Sequence, residues 1–239
     1  MARILLAAVA LFLTVIVVAR ADDAGSPTNA APAKPPAADA SALTTAPNND
    51  VGIGSDGAIK DQDSYQARIG ELYAPDGEAY IMPVRLPALA KGQQFATVHL
   101  RFQLVGLNNE ANGLANADLY GLGVRDSNKA LPTDYYQGAK PDSKATLLQG
   151  SFLTPASKVR TDANTGPFVE TSAAGDAALA KYFNDACAKP ENAGKYVFLR
   201  ISYDADPIPA GNNAYMLLTT GATGDNEPPV VTYTLTPAK

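Results

Sequence analysis

The chain of 239 residues contains one cysteine, one histidine and no tryptophan. A single cysteine cannot build a disulfide framework, which needs pairs. One cysteine and one histidine fall short of a Cys/His zinc site, which takes three or four such ligands. Without tryptophan there is no tryptophan stacking platform. Basic residues are also scarce: 19 Lys and Arg stand against 24 Asp and Glu, for a formal net charge of −5 and a pI near 4.9. With no basic footprint, nucleic acid and anionic membrane surfaces are poor partners. The charged fraction, 18%, suits an extracellular domain rich in strands and turns, and the hydrophobic fraction, 46%, is enough for a packed core and excludes wholesale disorder.

The longest apolar run sits at the start. Arg3 precedes an uncharged stretch from Ile4 to Val18, and Ala19-Arg20-Ala21 then places small residues at −3 and −1 of a signal-peptidase site. Residues 1–21 therefore read as a signal peptide cleaved after Ala21, with Val17 and Ala19 offering a second site after Ala19. The run is short of the roughly 20 apolar residues of a bilayer span, so no membrane span is expected after cleavage. The expected destination is secreted, cell-surface or periplasmic. Losing Arg3 and Arg20 and no acid makes the mature chain more acidic by two charges.

Residues 22–50 are dominated by Ala, Pro, Asp, Asn and Thr, with one leucine and no aromatic. Such a stretch does not bury enough surface to offset its ordering entropy and reads as a disordered linker. Residues 51–239 then form one domain.

Within that domain the dominant signal is period two. Val98, Leu100, Phe102 and Leu104 alternate with Thr97, His99, Arg101 and Gln103, the pattern of a half-buried strand. Val197, Leu199, Ile201 and Tyr203 repeat it, with Arg200 and Ser202 opposite. Val231, Tyr233 and Leu235 repeat it again, and Tyr120, Leu122 and Val124 do so more weakly. Segments 79–86 and 213–220 add further strands, separated by turn clusters such as NNEANG and DADPIPAGNN. Leu179, Tyr182, Phe183 and Ala186 fall at helical spacing instead, with Asp176 as N-cap or first-turn acid and Pro190 beyond, which predicts a helix near 176–188. Many antiparallel strands with one short helix predict an all-β antiparallel sandwich of jelly-roll type.

The segments around DSYQARI and AYIMPVRLPALAKGQQFATVHLRFQL, then GPFVETSAAGDAALAKYFNDA, and finally YVFLRISYD, AYMLLTTGA and PPVVTYTL resemble in their order the DNRLRE-type secreted domains. The resemblance spans roughly residues 60–236. The hexapeptide that names the family is absent, and Phe168 and Phe183 stand where such domains often carry tryptophan. The resemblance implies a secreted, noncatalytic jelly-roll sandwich like a carbohydrate-binding module, in a family that accompanies carbohydrate-active enzymes and surface proteins. It carries over no functional residue.

Motifs with chemistry are few. GIGSDG at 52–57 matches the glycine spacing of a dinucleotide loop, but no helix pattern follows it, so it reads as a turn. His99, the only imidazole, lies mid-strand on the polar face, and no G-x-S-x-G elbow accompanies it, so no catalytic residue is assigned. Cys187 extends the helix's apolar row and reads as a buried thiol, with pairing between chains as the alternative. Glu71, Asp76, Glu78, Glu110 and Glu170 are available for a carboxylate pair, without a recognisable catalytic context. Asp50, Asp56, Asp61 and Asp63 cluster at the domain entrance, where oxygen-rich turns suit calcium, yet the spacing is not that of a calcium loop and no metal or cofactor is assigned. Tyrosine is the abundant aromatic, 11 against 7 Phe, and Tyr135-Tyr136 lies in the loop LPTDYYQG, where rings can stack on sugar faces.

The expected function is therefore a noncatalytic module that binds a polysaccharide at the cell surface or in the matrix, through Tyr135 and Tyr136. A structural component of a surface layer, partnered by other surface proteins, is the alternative, and a glycan-degrading enzyme the third. A binding module calls for exposed aromatics, a structural protein for a flat apolar patch or an open edge strand, an enzyme for two close carboxylates in a cleft.

Overall fold

The alternating run Thr97–Leu104 is shared between two sheets. The computed structural model describes residues 41–44, 50–60, 66–72, 76–109, 113–161, 166–206, 213–220 and 228–237, all within one compact unit of residues 38–239. In chain order the strands are β1 (Ser41–Thr44), β2 (Val51–Gly54), β3 (Ile59–Lys60), β4 (Gln66–Glu71), β5 (Gly77–Arg85), β6 (Phe95–Phe102), β7 (Leu104–Asn109), β8 (Ala117–Arg125), β9 (Thr146–Leu153) and β10 (Val169–Glu170). Helix α1 (Ala173–Cys187) follows, then β11 (Tyr196–Tyr203), β12 (Ala214–Thr219) and β13 (Val230–Leu235). Sheet A runs β1-β13-β6-β10, and sheet B runs β7-β12-β4-β5-β11-β8-β9 with the β2–β3 hairpin beside β5. Every pairing is antiparallel.

The inner faces meet in one apolar cluster. Sheet A contributes Val98, Leu100, Phe102 and Val231; sheet B contributes Tyr80, Met82, Val84, Leu119, Val197, Leu199, Ile201, Met216 and Leu218. This is the all-β sandwich with one helix that the alternation predicts. Phe102 is 1% exposed and meets Phe152 of β9 edge to face at 5.6 Å; burying such a ring stabilises by about 1.5–3 kcal/mol.

Gln103 departs from its expected place on a polar face and is fully buried. It is the corner where the chain leaves sheet A for sheet B, and its carbonyl and Oε1 are paired there while its buried Nε2 has no partner among the described residues. The Thr219 amide donates to its carbonyl at 3.0 Å, and Arg160 Nη1 donates to its Oε1 at 3.3 Å. Pairing of most of its groups offsets part of the cost of burying a polar corner.

The helix starts three residues before its expected boundary because Ser172 caps it: the Gly175 amide donates to Ser172 Oγ at 3.2 Å, and Asp176 sits in the first turn. From there α1 runs along the edge of β6 that β10 leaves open. The Asn184 side-chain amide accepts from Phe95 N at 2.8 Å and donates to Phe95 O at 3.0 Å, as a neighbouring strand would. Gly121 and Gly123 of β8 explain how the helix approaches sheet B. A Cβ at Gly121 would collide with the Tyr182 ring, and Gly123 N donates to Tyr182 Oη at 2.6 Å.

Two expectations are corrected. The segment read as a disordered linker contains β1, paired to the edge of β13 with Leu43 opposite Val231. Its one leucine packs against the core, and four backbone pairings hold the rest; the other residues of 22–49 lie outside the described residues. Arg200 and Ser202, expected on the open side of a half-buried strand, are each 1% exposed. Sheet B is covered on its outer face too, by the loop of residues 126–145, over a second cluster in which Val51 and Ile53 of β2 join Ile81, Ala130 and Phe198.

Candidate functional site

The covering loop folds as it does because of Asp134. Pro132 opens a single 3-10 turn, Pro132–Asp134, and the Asp134 carboxylate accepts from the Leu131 amide at 2.8 Å. The same carboxylate takes both Nη atoms of Arg125 from β8, one at 2.7 Å, a bidentate pair of the strong kind. Arg125 in turn lies flat over the Phe198 ring, 4.2 Å from its centroid, so one guanidinium fastens the loop to the second apolar cluster.

Arg200 of β11 fastens it again. Its Nη1 donates to the Asp134 carbonyl at 3.0 Å and its Nη2 to Asp142 Oδ2 at 2.8 Å. Its Cζ stands 4.8 Å from the Tyr120 ring centroid and 5.3 Å from that of Tyr136, a cation stacked against two rings. Burial pushes the Asp142 carboxyl up, but the Lys144 amide, the Arg200 hydrogen bond and the charges of Arg200 and Lys144 outweigh it and hold it below the usual 3.8. Tyr120 is driven up to about 12, first by burial and then by Asp118, which accepts from its hydroxyl at 3.0 Å.

The two tyrosines singled out by the sequence both line the cleft that results, an opening of about 620 Å³ between this loop and the outer face of sheet B. They are used differently. Tyr136 is half-buried, with its ring toward Arg200 and its hydroxyl donating to the Lys140 carbonyl. Tyr135 packs against the second cluster, and its hydroxyl donates to Gln137 Oε1 at 3.1 Å; burial and the Glu71 charge raise it to about 12. The exposed aromatics that a binding module calls for are not found: among the described residues every tyrosine is buried or half-buried. Sequence reasoning found the tyrosines but missed Arg200 and Asp142, which fix the ring. A positive residue inside an apolar strand, YVFLRISY, is the one signal that pointed there.

The other sequence candidates are dispersed. His99 is held rather than free: its Nδ1 is 3.0 and 3.1 Å from the two Asp176 carboxylate oxygens, and Thr171 Oγ1 donates to the same carboxylate. On the other side Nε2 is 3.9 Å from exposed Glu170. The cluster ties β6 to the start of α1. Glu71 accepts from Gln137 Nε2 at 3.0 Å, and Glu78 accepts from Arg68 at 2.8 Å. Asp76 is exposed, and Glu110 lies outside the described residues. Asp50 is buried and accepts from the Tyr80 hydroxyl at 2.6 Å, whereas exposed Asp56 pairs with Lys60 at 3.2 Å; Asp61 and Asp63 lie outside the described residues. Among the described residues no three Asp, Glu, His or Cys side chains converge as a metal site. GIGSDG forms the β2–β3 hairpin turn and leads into no helix. Cys187 is half-buried against the core, which raises its thiol. Among the described residues no helix is long and apolar enough to cross a membrane.

No known family model matches the chain, and no curated protein matches it at a significant level.

Proposed function

We propose that this chain is a secreted, noncatalytic β-sandwich module of the DNRLRE-like kind that binds a polysaccharide in the cleft over sheet B. The observation that carries this reading is the Tyr136 ring, half-buried at the cleft and backed by the Arg200 guanidinium. A ring fixed in advance loses little freedom when a sugar face stacks on it. Charged and hydrogen-bonding groups around one apolar ring are what a sugar's hydroxyls and C–H face require. The cleft's two carboxylates argue against hydrolysis. Asp134 and Asp142 are each engaged by a guanidinium, and Asp142 is held below the usual range, the opposite of a general acid.

A glycan-array screen of the exported chain, followed by calorimetric titration, tests this. Tyr136→Ala should weaken binding by about 0.5–1.5 kcal/mol and leave folding intact. His99→Ala, at the other sheet, should leave binding unchanged. A blank array moves the weight to a structural surface component, and hydrolysis of a bound glycan overturns the noncatalytic reading.

A further inference from the structure

The cleft is basic although the chain is acidic. Its lining holds four cations, Arg125, Lys140, Lys144 and Arg200, against two carboxylates, Asp134 and Asp142. Both carboxylates are already matched, Asp134 by Arg125 and Asp142 by Arg200. That leaves Lys140 and Lys144 exposed, with no ion pair to any described residue. In a chain of net charge −5, two exposed ammonium groups without a direct ion pair, Lys144 acting on Asp142 only through its charge, give the cleft an excess of two positive charges beside a fixed aromatic ring.

We infer that the ligand of this cleft is an acidic polysaccharide, one whose carboxylate or sulfate groups meet Lys140 and Lys144 while a sugar ring stacks on Tyr136. The inference rests on the polysaccharide reading above and sharpens it. Arg200 plays a positioning part. It is buried and spends Nη1 and Nη2 on Asp134 and Asp142, so it holds the ring and the loop while the lysines supply the mobile donors. Lysine suits that task, since its ammonium is a rotatable point charge on a flexible stem that can follow the anions of a repeating polymer.

The test is calorimetric titration of the exported chain with four probes: oligogalacturonate, its methyl ester, a sulfated oligosaccharide and its desulfated form. The acidic probes should bind at least about tenfold more tightly than their neutral counterparts, and the advantage should shrink as salt is raised. Lys140→Ala and Lys144→Ala should each cost about threefold in affinity for the acidic probes, and about tenfold together. Tyr136 keeps its hydrogen bond to the Lys140 carbonyl in these variants, so their fold is unchanged. Equal binding of acidic and neutral probes, or full affinity in the double variant, overturns the inference. Neutral binding that Tyr136→Ala weakens would overturn the charge assignment and leave the polysaccharide reading standing. Silence from all four probes also overturns it, and the polysaccharide reading then stands or falls on the array.

Discussion

The two faces of β11 are built on different principles. Inward, Val197, Leu199, Ile201 and Tyr203 join the cluster shared with sheet A. Outward, Phe198 and Arg200 are buried just as deeply, at 0% and 1% exposure, but under a loop rather than a sheet. The inner face is held by apolar area, which has no direction. The outer one is held by two guanidiniums that each bind a carboxylate and stack on a ring, which fixes geometry. A face of the first kind makes a core; a face of the second kind makes a cleft whose ring and loop stay in place.

The largest effect expected is at Phe198, and it tests whether the outer layer is a second core. Phe198→Ala should cost about 3–5 kcal/mol in denaturant unfolding, the same range as Phe102→Ala on the inner side. If the loop were only draped over a solvated sheet, the cost would fall within about 0.5 kcal/mol, and the two-sided picture of sheet B would be wrong.

Next comes the charge that fastens the loop. Arg200→Ala strips Asp142 of its guanidinium and Tyr120 and Tyr136 of their stacked cation. Breaking a fully buried pair costs about 3–5 kcal/mol. The Asp142 side chain keeps 10% of its exposure, so about 2–3 kcal/mol is expected. Arg200→Met, which fills the volume without charge, sharpens the comparison. If Met restores stability but glycan binding stays weak, the guanidinium serves geometry rather than folding.

How much of this was written in the sequence follows from the range of each interaction. The inner faces were legible because alternation is local, and the helix was legible from its apolar stripe and Asp176. The cap at Ser172 lies four residues before Asp176, outside that stripe, and was missed. Strand β1 was illegible because four residues with one leucine carry no pattern; only the free edge of β13 gives them a place. The outer layer was illegible for a related reason. Arg200 meets Asp142 across 58 residues, and His99 meets Asp176 across 77, and no periodicity reports such pairings. Tyr135 and Tyr136 stood out as loop aromatics, yet which of them would be backed by a cation depended on an arginine that alternation assigned to an open face.

The smallest effect expected is the pH dependence that Asp142 imparts to the outer layer. In the folded chain the Asp142 carboxyl lies below its ordinary 3.8. On acidification the unfolded chain therefore takes up the proton first. The contribution is complete above 3.8, and it is lost as the pH falls through the lower folded value. Asp142→Asn removes the charge but keeps an oxygen that can accept from Arg200 Nη2, so the variant should be less stable than the parent at neutral pH by about 1 kcal/mol, less than Arg200→Ala. The two unfolding midpoints should converge as the pH drops below 3.8. Thermal unfolding at a series of pH values reads this directly. A gap that stays constant through the acid range would mean that Asp142 acts by shape and hydrogen bonding alone. The Arg200 charge would then be balanced elsewhere in the layer.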